Sequence, residues 1–150
     1  MARFSPPKDK IELIKSLTDK DSPFNEYRDI LFLAAVIGWR SGRRLELSAR
    51  GEAIRWDVMV NRYGTEAITD MIAVASYPDD PSILAEHRQE DRIAILEEYA
   101  NGGLDVLQDR LRGAGAVPTD VVLVSWIQEA LNGSRDEESS ISLVDQVLNL

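Results

Sequence analysis

Positions 30–37 hold eight apolar residues in succession, and Gly38 follows them. No other feature of the chain constrains its fold as strongly. A membrane-spanning helix needs about twenty such residues, so this run belongs inside a soluble core that other elements must complete. Phe24, Tyr27, Ile30, Leu31, Ala34 and Ile37 recur at helical spacing. Ser22-Pro23 reads as an N-cap followed by proline at the first helical position. Gly38 stands where a C-terminal cap is wanted. The spacing predicts a helix that is apolar nearly all round beyond Ile30, the central buried helix of the fold. With 150 residues, the chain has a one-domain length and can bury about two-thirds of its unfolded surface.

The same periodicity predicts further helices. Ile11, Leu13, Ile14 and Leu17 form a short stripe after Pro7. Thr65 caps a helix through Ile68, Ile72 and Ala75, and Asp79-Asp80-Pro81 closes one helix and opens the next. Ile93, Leu96 and Ala100 make one stripe, and Leu104, Leu107 and Leu111 another. Asn101-Gly102-Gly103 between them is expected to break or kink the helix. Val121 to Leu131 reads as a helix ended by Asn132-Gly133, with β-branched residues leaving a strand open at its start. Residues 39–63 behave differently. Leu45 and Leu47 alternate with Arg44, Glu46 and Ser48; Arg50-Gly51-Glu52 supplies a turn; and 53–58 return as a strand or lead into a helix. The expected fold is mainly α, a compact domain of about six helices with a small β-hairpin around residues 43–58. Residues 1–132 are expected to form a single helical domain and 133–140 an acidic linker. Residues 141–150, with Ile141, Val144 and Leu148 as their stripe, are expected to form a C-terminal helix packing on the same domain.

Several chemistries are missing from the residue set. There is no cysteine, which removes disulfides, thiolate zinc sites, iron–sulfur clusters and cysteine nucleophiles. The one histidine is His87, and the four lysines all lie at or before Lys20. No Gly-x-Ser-x-Gly elbow, phosphate loop or dinucleotide-binding turn occurs. The N-terminus lacks the apolar stretch of a signal peptide. These absences point to a cytoplasmic protein that is not an enzyme and carries no cofactor.

Charge is unevenly distributed. The total is −9, yet residues 1–63 hold 12 basic and 9 acidic groups, a net of +3, and residues 64–150 hold 5 basic and 17 acidic groups, a net of −12. Such asymmetry hints at an oriented partner surface. Arg40, Arg43, Arg44, Arg50, Arg55 and Arg62 fall within 23 residues, with Trp39, Trp56 and Tyr63 among them. Arginine forks fit phosphate and carboxylate bidentately and stack on aromatic rings. The segment therefore suits either a phosphate backbone or the surplus carboxylates of the second half. Trp39 and Trp56 are base-stacking platforms on the first reading and core edges on the second.

Three weaker constellations remain. His87 and Asp91 share a helical face at the spacing of two metal ligands, with no third ligand in view. Asp79, Asp80 and Glu86 are acids of the type that hold magnesium for phosphodiester cleavage, although capping and turn chemistry also account for them. Asp136-Glu137-Glu138 is a solvated run, or a segment that folds back on the arginines.

Segments taken together carry a family resemblance. They are 32–38, the Arg43-Arg44 pair, Ile54-Arg55-Trp56, 72–75, 79–84 and 96–104. In this order and spacing the chain resembles the DNA phosphorothioation-associated protein 4 family, also called Dnd system-associated protein 4, over roughly residues 8–112. Glu98-Tyr99-Ala100-Asn101-Gly102-Gly103 is the most specific part. The resemblance implies association with machinery that replaces a non-bridging phosphate oxygen of DNA with sulfur, and with the phage-restriction genes beside it. It supplies no catalytic motif.

The leading expectation is a non-enzymatic accessory or adaptor protein of such a modification or phage-defence system. It would bind protein subunits of the modification or restriction complex, with DNA as a second candidate ligand and no membrane partner. Arg40, Arg43, Arg44, Arg50 and Arg55, supported by Trp39 and Trp56, are the expected contact residues. One alternative is a DNA-binding regulator of transcription or access, using Arg88-Gln89-Arg92 as a recognition face. The other is a metal-dependent nuclease built on Asp79, Asp80, Glu86 and His87.

Overall fold

The structure, a computed structural model, describes residues 1–19, 22 and 24–148, with side chains described as far as residue 133. It is mainly helical, with six α-helices among the described residues: α1 Ile11–Leu17, α2 Tyr27–Arg40, α3 Trp56–Met59, α4 Thr65–Ser76, α5 Gln89–Ala114 and α6 Thr119–Leu148. Two short strands, β1 Arg3–Phe4 and β2 Ile54–Arg55, pair antiparallel in the register Arg3↔Arg55 and Phe4↔Ile54. The chain divides into two compact units, Met1–Gly113 and Ala114–Leu150. No helix among the described residues is long and apolar enough to cross a membrane.

The apolar run at 30–37 lies in α2, as its periodicity predicts. Ile30, Leu31, Phe32, Ala34, Ala35 and Gly38 are all buried. Both ends of this helix depart from expectation. Its N-cap is Glu26, and Ser22 instead closes the end of α1, donating to the Leu17 carbonyl while accepting the Phe24 N–H at 3.3 Å. Pro23, expected at the first helical position, lies outside the described residues. At the other end α2 runs past Gly38 to Arg40. The turn is made by Gly42 at φ 66°, the left-handed conformation that costs glycine least, and Arg43 N–H donates back to Gly38 O at 2.8 Å.

Gly38 is buried because it is a packing residue, and so are the glycines expected to break α5. That helix is continuous from Gln89 to Ala114. A Cβ on Gly103 would collide with the Ala34 carbonyl, and one on Gly102 with the Arg43 carbonyl. A Cβ on Gly38 would collide with the Tyr99 carbonyl and lie 2.9 Å from Gly103 N. The backbones of α2 and α5 therefore meet with no side chain between them. Glycine's helix penalty of about 1 kcal/mol per residue is offset by this close contact.

The expected hairpin at 43–58 does not form. Residues 45–49 run as irregular backbone, and only Ile54–Arg55 is strand. Its partner is the N-terminal strand β1, and a bridge between Pro7 and Arg50 extends the pairing. Phe4 is fully buried on the inner side of this ribbon. The alternation at 44–48 therefore reflects a segment laid along α5 rather than a β-ladder. Residues 79–88, expected to open a helix, form two short 3-10 turns, Pro81–Leu84 and Glu86–Arg88, before α5 begins. In the second unit α6 runs straight through 133–140, where an acidic linker was expected. Asn132-Gly133 does not end it.

Candidate functional site

The segment 43–50 lies along the middle of α5, and one short stretch of that helix holds it. Asn101 is buried and donates from Nδ2 to the carbonyls of Leu45 and Glu46 at 3.2 and 3.1 Å. Its Oδ1 accepts the buried Lys10 ammonium, so one amide ties α5 to both the N-terminal segment and the 43–50 segment. Leu45 N–H donates to Glu98 O at 3.1 Å. Glu97 is buried as well; its Oε2 accepts Ser5 N–H at 3.2 Å and Arg50 Nη1 at 2.7 Å. Burial pushes the Glu97 carboxyl above the ordinary value, against the opposing pull of Arg50 and Ser5.

The arginines of this segment are committed within the first unit. Arg44 grips Glu98 with Nε to Oε2 and Nη2 to Oε1, both at 3.2 Å, and Nη1 donates to Tyr77 Oη at 3.1 Å. Its guanidinium lies 5.7 Å from the Tyr77 ring centre and 5.6 Å from that of Tyr99, within cation–π range. The Glu98 hydrogen bonds raise the Arg44 pKa. Arg43 reaches Asp105 at 2.5 Å and Asp109 at 3.6 Å. Arg55 pairs with Asp57, and Arg62 with Asp29 at 3.4 Å and Glu26 at 3.8 Å. Trp56 is buried, with its indole N–H unpartnered.

The seven expected contact residues therefore do not converge on one outer surface. Arg43, Arg44 and Arg50 are turned to carboxylates of α5, Arg55 to the nearby Asp57, and Trp56 to the core. Trp39 and Arg40 stay open at the C-terminal end of α2. Trp39 is 45% exposed, and Arg40 is exposed with no ion pair among the described residues. Trp39 lines an apolar groove of about 230 Å³ with Val36, Ile68, Met71, Ile72 and Ala75, between α2 and α4. Nothing in the sequence marks Val36 of α2 or Met71 of α4 as exposed; on α2, apolar nearly all round, periodicity does not show which side stays bare.

The acidic constellation has its own cation. Arg88 Nη1 is 3.2 Å from Asp80, and its Nε is 2.5 Å from Asp91. The hydrogen bond from Ser82, and then Arg88, pulls the Asp80 carboxyl below the ordinary value. His87 and Glu86 lie in a 3-10 turn, so the helical face proposed for His87 and Asp91 does not exist. Among the described residues no group of three or more histidines and acids is placed to hold a metal. Arg92 of the expected recognition face donates to the carbonyls of Ile83 and Ala85 at 2.7 and 2.8 Å and pairs with Asp70 at 3.2 Å. The side chains of Asp136, Glu137 and Glu138 lie outside the described residues.

The run from Glu98 to Gly103, on which the family resemblance rests most, grips the 43–50 segment and packs against α2. No curated protein and no solved structure matches the chain. A family match does exist, and it extends further than the segments at 32–104, taking in most of the C-terminal third. From residue 3 to residue 144 the sequence fits the family model, so the chain belongs to the DNA sulphur modification system-associated protein 4 family.

Proposed function

We propose that this protein is a non-enzymatic adaptor of a DNA sulphur modification system or of the restriction machinery beside it. It binds a partner subunit through the outer face of α2 and α4. The observation that carries this reading is the bare apolar groove lined by Trp39, with Arg40 after it exposed and without an ion pair among the described residues. Trp39 and Met71 are 45% and 70% exposed, whereas Arg43, Arg44, Arg50, Arg55 and Arg62 are engaged by acids of the first unit. Contiguous exposed apolar surface on a soluble protein marks an interaction site, and tryptophan and arginine are the side chains that most often dominate such interfaces. Arg40, exposed next to Trp39 at the end of α2, favours a partner with an acid beside its apolar anchor.

Co-expression of the tagged chain with each modification and restriction subunit of its host tests the reading. One subunit is expected to co-purify with the wild-type chain. Its recovery should fall at least tenfold with the Trp39→Glu, Arg40→Glu double variant, whose melting temperature should stay unchanged because both side chains are exposed. Equal recovery with that variant, or recovery of no subunit at all, overturns it.

A further inference from the structure

The first unit has a second concave surface, on which the partner-binding reading makes no claim. A cleft of about 770 Å³ opens between the β1–β2 ribbon, α1 and the start of α2. Its floor is apolar, made by Pro6, Ile11 and Ile54, and its sides carry Lys8, Lys15, Arg50 and Tyr27. Among the described residues Glu52 is the one acid in the lining. In a chain with a net charge of −9, three cations around one cleft against a single carboxylate is a local reversal of sign.

The state of each cation strengthens the case. Lys8 is exposed and has no ion pair among the described residues. Lys15 has only a loose contact, 3.7 Å to Glu12, with its side chain 55% exposed. Arg50 differs from the other arginines of its segment. Buried Glu97 holds it through Nη1 alone at 2.7 Å, and its side chain remains 61% exposed. A guanidinium carries five N–H donors, so the carboxylate fixes the fork and leaves most of it turned to the cleft. Ordering paid in advance is what a charged ligand site needs. Tyr27 is 37% exposed and presents an aromatic surface at the wall.

We propose that this cleft binds a short stretch of single-stranded nucleic acid. Lys8, Lys15 and Arg50 take successive phosphates, and a base lies on the apolar floor against Tyr27. Cations along a groove with an aromatic stacking surface are the elements of strand binding without base readout. An apolar floor between cations has no use for a bare phosphate and suits a ligand that is ionic at its edge and flat and apolar at its centre. A cleft of this size admits a few nucleotides.

Fluorescence anisotropy of the full chain with a labelled oligothymidylate, over a range of sodium chloride concentrations, tests the proposal. Binding is expected at low salt, with affinity falling by a log–log slope near −2, as about three phosphate contacts on a single strand require. Lys8→Glu with Lys15→Glu should weaken it at least tenfold and flatten the slope. Tyr27→Ala should weaken it about fivefold or more with the slope unchanged. Trp39→Glu should leave it untouched, which separates this site from the partner-binding face. Circular dichroism of each variant checks that the fold is kept. Three competitors identify the source of any binding: tripolyphosphate, a duplex of the same sequence and polyglutamate. If any of them displaces the strand as well as unlabelled oligothymidylate does, the strand reading is overturned. No binding at low salt, or equal binding by the double lysine variant, also overturns it.

Discussion

Glu97 is a carboxylate placed where water is scarce, and its neighbours do not fully compensate. Arg50 and the Ser5 N–H favour the charged form, but burial outweighs them and raises the folded pKa above its ordinary value of 4.5. The sign of the resulting pH dependence follows from linkage. A proton is held more tightly in the folded state, so folding is favoured most below the ordinary value. That contribution is lost as the pH rises from about 4.5 through the raised folded value. Glu97→Gln removes the titration. Urea unfolding of both proteins across a pH series should show the wild type losing stability relative to the variant as pH rises, with the difference levelling off above the folded pKa. Asp80 is shifted the other way by Ser82 and Arg88, and because both proteins contain it, it cancels in the comparison. None of this was visible in the sequence, where Glu97 and Glu98 are adjacent acids of equal standing. Helical geometry turns one toward buried Ser5 and the other toward Arg44.

At the level of elements, α2 and α5 carry the core; Gly38 and Gly103 let them touch, and Gly102 lets α5 meet the backbone at Arg43. The stripes of both helices are legible in the sequence, but there Gly38 reads as a terminus and Gly102-Gly103 as a break. Glycine has two physical uses, conformational freedom and lack of bulk, and one residue letter does not distinguish them. The distinction appears only when the other helix is in place. Gly103→Ala drives a methyl group into the Ala34 carbonyl, which is backbone and has no rotamer to escape by. It should cost about 3 kcal/mol or more, at the upper end of overpacking effects. Gly113, also in α5, meets nothing within 4 Å, so Gly113→Ala should stabilise by about 0.5–1 kcal/mol through helix propensity alone. Opposite shifts in denaturation midpoint from the same substitution in one helix would confirm that packing, not propensity, governs the α2–α5 contact.

For the molecule as a whole, part of the charge asymmetry is answered from within. The basic first part and acidic second part of the sequence are joined by Arg43–Asp105, Arg44–Glu98 and Arg50–Glu97 across 43–50 and α5. Reversing Arg43 and Arg44 to glutamate together places like charges against Asp105, Asp109 and Glu98. We expect a loss of about 2–4 kcal/mol in stability, with the Arg44 grip contributing most as a charge-assisted pair. The exposed part of the loss should shrink in high salt, and thermal melts at two ionic strengths measure both effects. From the sequence alone it is legible that the chain is mainly helical, that 30–37 lies on one apolar helix and that the arginines form one segment. Those are statements about neighbours in the chain, and periodicity and composition encode them directly. It is the folded chain that pairs β2 with an N-terminal strand some fifty residues away, makes the glycines contact points, and engages Arg43 and Arg44 with carboxylates of α5 while Trp39 and Arg40 stay exposed. Each of these depends on which distant groups the fold brings within hydrogen-bond or van der Waals reach, and no local pattern carries that information.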